Sequence, residues 1–256
     1  MAAGTQPKIA VIGLKKRFGD KEVLRGIDLE IMPGESLVLV GGSGAGKSVF
    51  LKHLIGLLHP DEGHVVVDGI DLTLAEPAVA LELRKKIGMS FQEGALFDSM
   101  TVFGNIAFPL RRHTKASEAA IAERVRECLR LVRLENVEDR FPSELSGGMR
   151  RRVGFARSIA LEPDILLFDE PTTGLDPINT AVIARVINRM RRELGVTAVT
   201  ITHDMNLAWK VADRLAMLRA GRIIALDEPE RFRNSTDPYV RAFLEGEVVD
   251  EEEVAV

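Results

Sequence analysis

The chain has 256 residues, 46% of them hydrophobic and 28% charged, with a net charge of −4. That length suits one large domain, or one domain with subdomains, around a sizeable core. The single Cys128 excludes a disulfide framework and a cysteine-based metal cluster. No apolar run approaches the ~18 residues of a membrane span, and the mild acidity argues against broad nucleic-acid binding.

The opening MAAGTQPKIAV lacks the charged and apolar regions of a secretory signal, so a cytosolic location is expected. Strand-like runs follow in KIAVIG, IDLEIM, SLVLV and HVVVDGIDL. Several alternate as half-buried antiparallel strands do, while SLVLV is apolar throughout and suits a buried central strand. Residues 115–135, charged and apolar at helical spacing without Gly or Pro, predict an amphipathic helix. DILLFDE and VTAVTITHD then restore the strand pattern around the helical TAVIARVINRMRREL, and RLAMLRAGRIIAL follows. Strand alternating with helix predicts a mainly parallel α/β sheet, with the helical middle of the chain inserted into it. The tail EGEVVDEEEVAV reads as a solvated acidic end.

Three short stretches carry chemistry. GGSGAGKS fits G-x-x-x-x-G-K-[ST] between a buried strand and a helical run, which is the context a phosphate loop requires. Its glycines let backbone N–H groups face phosphate oxygens, and the helix N-terminus adds positive potential. Lys47 is expected at the β- and γ-phosphates and Ser48 on Mg²⁺. In ILLFDE, Asp169 and Glu170 emerge at the carboxyl end of a buried strand, where open α/β sheets bind ligands. Asp169 suits Mg²⁺, and Glu170 suits the polarisation of an attacking water. LSGGM, at 145–149, is a second polar, glycine-rich turn ahead of a helical run. Either the helical insertion folds back to join it to the first loop, or a second copy of the chain supplies it.

The order GGSGAGKS, Gln92, LSGGM, ILLFDE, GLD and His203 resembles the nucleotide-binding subunit of ATP-binding cassette (ABC) transporters over nearly the whole chain. The resemblance implies a P-loop NTPase of the ABC ATPase fold: α/β, with a RecA-like parallel-sheet core, an N-terminal antiparallel β-subdomain and a helical subdomain insertion. It implies one ATPase domain over 8–245, a helical subdomain at about 93–160 and a tail over 246–256. Two subunits are then expected to pair head to tail, each nucleotide lying between the phosphate loop of one and the LSGG turn of the other. The nucleotide contacts expected in this sequence are Phe18 on adenine, then Gly41, Gly42, Ser43, Gly44, Ala45, Gly46, Lys47, Ser48 and Val49. Ser146, Gly147 and Gly148 are expected to grip the γ-phosphate across the dimer, with Asp176 in a loop that communicates across it. Gln92 is expected to link Mg²⁺ and the attacking water to the helical insertion, and His203 to contact the γ-phosphate beside the base Glu170. Mg²⁺ is expected on Ser48, Gln92 and Asp169. The sequence departs from the common pattern at Gly42, often Pro, at Met149, usually Gln, and at TGLD in place of SALD.

FQEGALFDSMTVFGNIAFPLRRHT, PSELSGGMRRR and DPYVRAFLEG resemble the Mla/Mce group, whose ATPases energise phospholipid or hydrophobic-substrate traffic. The runner-up is an importer of a polar solute such as an amino acid. Zinc cysteines, coiled-coil insertions and a duplicated cassette, typical of soluble relatives in DNA repair or translation, are missing. Exposing roughly 30 lipid methylenes at ~0.8 kcal/mol each would cost on the order of 20 kcal/mol, so another protein must shield the tails. The resemblance implies a permease dimer, an MCE-domain substrate-binding protein and a small STAS-domain protein as partners, no nucleic acid, and a peripheral place on the cytoplasmic face of the inner membrane. Leu96, Phe97 and Met100 are expected to anchor a cytoplasmic helix of the permease.

Overall fold

The computed structural model describes residues 6–91 and 94–247. The chain opens with β1 (Ile9–Phe18) and β2 (Lys21–Ile31), a hairpin closed at Phe18↔Lys21 over Gly19 and Asp20. β3 (Ser36–Val40) is buried at every position and leads through the phosphate loop into α1 (Lys47–Leu54). β4 (Glu62–Val67) and β5 (Ile70–Asp71) come next, then α2 (Pro77–Lys85), whose first-turn proline gives up an N–H that the helix does not use. β6 (Ile87–Ser90) precedes three helices whose hydroxyl N-caps accept first-turn N–H groups. These are α3 (Val102–His113, capped by Thr101), α4 (Glu118–Leu131, capped by Ser117) and α5 (Gly147–Ser158, capped by Ser146). β7 (Ile165–Asp169), α6 (Pro177–Leu194), β8 (Thr197–Thr202), α7 (Met205–Val211), β9 (Arg214–Arg219), β10 (Arg222–Asp227), α8 (Pro229–Arg233) and α9 (Pro238–Glu245) complete the order.

The amphipathic helix expected within 115–135 is α4, and the helical run between the two late strands is α6. α3 lies within the helical subdomain expected at about 93–160, but the sequence pattern delimits no helix there, because Gly104 and Pro109 lie inside it. Burial overrides propensity there. Val102, Ile106, Ala107 and Leu110 all face inward, and each large apolar side chain contributes about 1.5–3 kcal/mol on full burial.

The chain divides into two compact units, Met1–Thr73 with Ile201–Val256, and Leu74–Thr200. The first holds an antiparallel sheet ordered β2-β1-β4-β5. It also holds the set β10-β9-β3, in which β3 and β9 are parallel (Leu37↔Arg214 to Val40↔Met217) and β10 is antiparallel. Ser36 fixes this set by donating its amide to Asp213 Oδ2 at 2.9 Å. The second unit holds β6 and β7 in parallel register, Ile87↔Ile165 to Ser90↔Phe168, with β8 beyond β7. α5 packs on β6, α3 and α4. Here close approach demands glycine: a Cβ on Gly154 of α5 would stand 2.9 Å from the Gly94 Cα.

Candidate nucleotide-binding site

In the first unit the phosphate loop leaves buried β3 at Gly41, where a Cβ would stand 2.3 Å from the Leu218 carbonyl oxygen on β9. Glycine is therefore required at 41. It is not required at 42, whose φ lies outside the left-handed range and whose missing Cβ would meet only the Tyr239 hydroxyl, at 3.8 Å. α1 starts from Gly46 with no side-chain cap hydrogen bond and no acidic residue in its first turn. Such an end suits an anion. Lys47 is almost buried, and its ammonium donates to the Gly41 and Gly42 carbonyls at 2.8 and 3.0 Å. The loop thus gathers a cation and a helix N-terminus in one place, and these residues fit a nucleotide phosphate. Gly42, Ser43, Gly44 and Ala45 line a cavity of about 560 Å³. Arg219 and Tyr239 line it too, stacked with the guanidinium carbon 3.9 Å from the ring centroid. No motif in the sequence signals that pair. Phe18, at the end of β1, is 48% exposed, as a stacking face must be, with the Lys16 ammonium 5.5 Å from its centroid. His203 follows β8 and is exposed.

In the second unit, Ile165–Phe168 are buried and Asp169 and Glu170 emerge half-buried at the strand end. Glu170 has φ +47°, in the left-handed region. Its carbonyl accepts from the Thr173 amide at 3.3 Å, and its Oε2 accepts from the Thr173 hydroxyl at 3.4 Å. The parallel register brings the ends of β6 and β7 to one edge. Gln92, two residues past β6, lies outside the described residues. The LSGGM turn opens α5, where Ser146 accepts from the Met149 amide at 3.3 Å and the first turn is free of acidic residues. Asp176 N-caps α6, accepting from the Ile178 and Asn179 amides, both at 2.9 Å. The Asn179 amide bond, joined by those to its side chain and to Ile178, holds the Asp176 carboxyl below its ordinary range. Among the described residues no three His, Cys, Asp or Glu side chains cluster as a metal cage.

Residues 24–173 match the family model of the ABC transporter. The chain belongs to the ABC transporter family. It is an ATPase of that family, with the ABC ATPase fold. This ABC ATPase is 44% identical over 238 residues to the probable ribonucleotide transport ATP-binding protein mkl of Mycobacterium leprae, covering 93% of this chain and 69% of that one. The M. tuberculosis protein of the same description is spanned over 66% of its length, just under two thirds. Identity is 38% to the intermembrane phospholipid transport system ATP-binding protein MlaF of Haemophilus influenzae, over 94% of this chain and 92% of that one. The sulfate/thiosulfate import ATP-binding protein CysA of Caulobacter vibrioides is 42% identical over 90% of this chain and 67% of its own. Among solved structures, the dimeric post-hydrolysis state of the cassette MJ0796 bound to ADP and Pi superposes with TM-score 0.79 and 31% identity, over 86% of this chain and 98% of that one. No helix among the described residues is long and apolar enough to cross a membrane.

Proposed function

We propose that this chain hydrolyses ATP to energise the movement of phospholipid, or a similar hydrophobic substrate, through a separate permease at the bacterial inner membrane. The observation that carries this reading is the match to the H. influenzae phospholipid-transport ATPase over 92% of that protein's length. The chain works as a head-to-tail homodimer of single ATPase domains, over 8–245, on a permease dimer, with an MCE-domain protein carrying substrate and a STAS-domain protein bound to the ATPase.

In this reading Phe18 stacks on adenine and the backbone of Gly41–Val49 cradles the phosphates. Lys47 exchanges the carbonyls of its own loop for the β- and γ-phosphates. Ser48, Asp169 and Gln92 hold Mg²⁺, which neutralises charge developing on the phosphates. Glu170 takes the proton of the attacking water, and His203 contacts the γ-phosphate. Ser146, Gly147 and Gly148 of a second copy close over it, so each nucleotide is completed in trans.

A groove of about 400 Å³ in the second unit supports a permease contact. Of the three expected anchors only Phe97 lines it, with Met89, Phe91, Phe108 and Pro109, while Leu96 and Met100 line two other cavities; Phe91, Phe97 and Phe108 are exposed to 38%, 41% and 41%. Apolar anchors in a shallow groove are a common way to receive a helix.

The test is reconstitution of the ATPase with its co-encoded permease in liposomes carrying a fluorescent phospholipid. ATP-dependent lipid movement that disappears with Glu170→Gln is the expected result. The likeness to the sulfate/thiosulfate importer favours a polar solute as the second reading. Turnover stimulated by a solute-binding protein and indifferent to phospholipid would decide for it.

A further inference from the structure

α5 bears on both sides of the segment that carries Asp169 and Glu170. Phe155 meets Phe168, the residue before Asp169, edge to face with centroids 5.2 Å apart. One turn earlier, on the face that i and i+4 share, Arg151 donates Nη2 to the Thr173 carbonyl. Thr173 in turn reaches Glu170 twice, through its amide at 3.3 Å and its hydroxyl at 3.4 Å. The φ of +47° at Glu170 is uncommon for a residue with a side chain and persists where surrounding structure over-determines it. Beside this link lies a cavity of about 480 Å³, lined by Gly147, Arg150, Arg151, Thr173 and Gly174 among others. Pro171 and Thr172 are buried, whereas Thr173 and Gly174 face the cavity, so the Arg151 bond acts at the open end of the turn.

We propose that Arg151 is a positioning residue for hydrolysis. Its guanidinium clamps the Thr173 carbonyl, which holds the 170–173 turn closed and thereby fixes the left-handed backbone and the carboxylate direction of Glu170. A planar cation suits the task, because it makes a charge-assisted bond in one orientation. Phe155 holds the strand before the carboxylates, and Arg151 holds the loop after them, so one rigid helix sets the geometry from both ends. This proposal rests on Glu170 being the group that polarises the attacking water.

The test uses the full chain with Mg-ATP and reads kcat, KM, ATP affinity and melting temperature. Arg151→Ala and Thr173→Val are expected to lower kcat by on the order of 10- to 10²-fold, the scale of a displaced catalytic group, with KM and affinity unchanged. Thr173→Ser keeps the hydroxyl and should restore turnover, while Arg151→Lys, lacking the planar fork, should recover only part of it. Wild-type kcat in Arg151→Ala would overturn the clamp. So would parallel losses of kcat, affinity and melting temperature that Thr173→Ser fails to rescue. If Arg151→Ala does not fold, Arg151→Gln and Arg151→Lys decide: a lowered kcat in Arg151→Gln, partly recovered in Arg151→Lys, supports the clamp, and wild-type kcat in Arg151→Gln overturns it. Glu170→Gln separates the two failures: normal turnover there removes the base assignment itself, whereas a dead Glu170→Gln beside a fully active Arg151→Ala removes the clamp alone.

Discussion

His53 lies on α1, five residues past Ser48, and is 1% exposed. Its Nδ1 donates to the Val49 carbonyl at 2.7 Å, and its Nε2 has no hydrogen-bond partner among the described residues. Burial, foremost, pushes its pKa below the ordinary 6.5. Lys16 acts in the same direction, while the Val49 and His59 carbonyls and Asp61 oppose it. Between the lowered folded value and 6.5 the unfolded chain binds more protons, so stability rises with pH across that window and is level above it. The melting temperature should therefore hold from about pH 7 to 8 and fall as pH drops below about 6.5. His53→Leu should flatten that fall, and a pH profile unchanged by the substitution would assign it to other groups. At Glu170 the expectation is catalytic. Glu170→Gln keeps size and hydrogen bonding but removes the base, so hydrolysis should drop by about 10²- to 10⁴-fold while ATP still binds. Single-turnover assays on the purified chain read both, and wild-type turnover would end the assignment.

At the scale of an element, α3 and the loop before it divide two tasks between neighbouring residues. Asn105, fully buried, accepts the Phe97 amide at 2.8 Å and donates to the carbonyls of Phe97, Met100 and Thr101, each at 3.1 Å. It shapes the loop. Asn105→Ala strands those groups and should cost about 1–3 kcal/mol, visible as a clear loss of melting temperature. Phe97 is presented by that loop, 5.0 Å from the Phe108 ring and 5.5 Å from the Arg157 guanidinium. Its exposure of 41% separates it from the core. Phe97→Ala should leave a folded, ATP-binding chain that co-purifies poorly with its permease, since truncating a true anchor typically costs above ~2 kcal/mol of binding. A melting temperature lowered by many degrees would place Phe97 in the core, and normal complex formation would dispose of the docking role.

For the whole molecule the question is how two phosphate-gripping turns in one chain are used. The phosphate loop and the LSGGM turn fall in different compact units, each turn opening a helix whose first-turn residues include no acid. Trans completion makes a sharp prediction for a forced heterodimer of Ser146→Arg with Lys47→Ala. Both lesions fall in one composite site, so the other should stay intact and ATPase activity should survive above that of either mutant homodimer. Completion within one chain would leave every site damaged and the heterodimer as inactive as its parents.

What the sequence by itself determined is whatever depends on neighbours along the chain. GGSGAGKS between a buried strand and a helix, the carboxylates closing ILLFDE, and the amphipathic stripes of α4 and α6 were legible because their chemistry is contiguous or periodic. Even Asp176, assigned from resemblance to a loop at the dimer, has a local cap to make, with Pro177 following in the first turn of α6. Tertiary structure alone decided the rest. The Leu218 carbonyl that demands glycine at 41, the Tyr239 hydroxyl near Gly42, and the Arg151 link to Thr173 join residues far apart in the chain. Helix formation across Gly104 and Pro109 likewise follows from burial on neighbouring elements. Such contacts leave no spacing pattern, because the free energy of packing and hydrogen bonding depends on which surfaces meet, and only the fold brings those surfaces together.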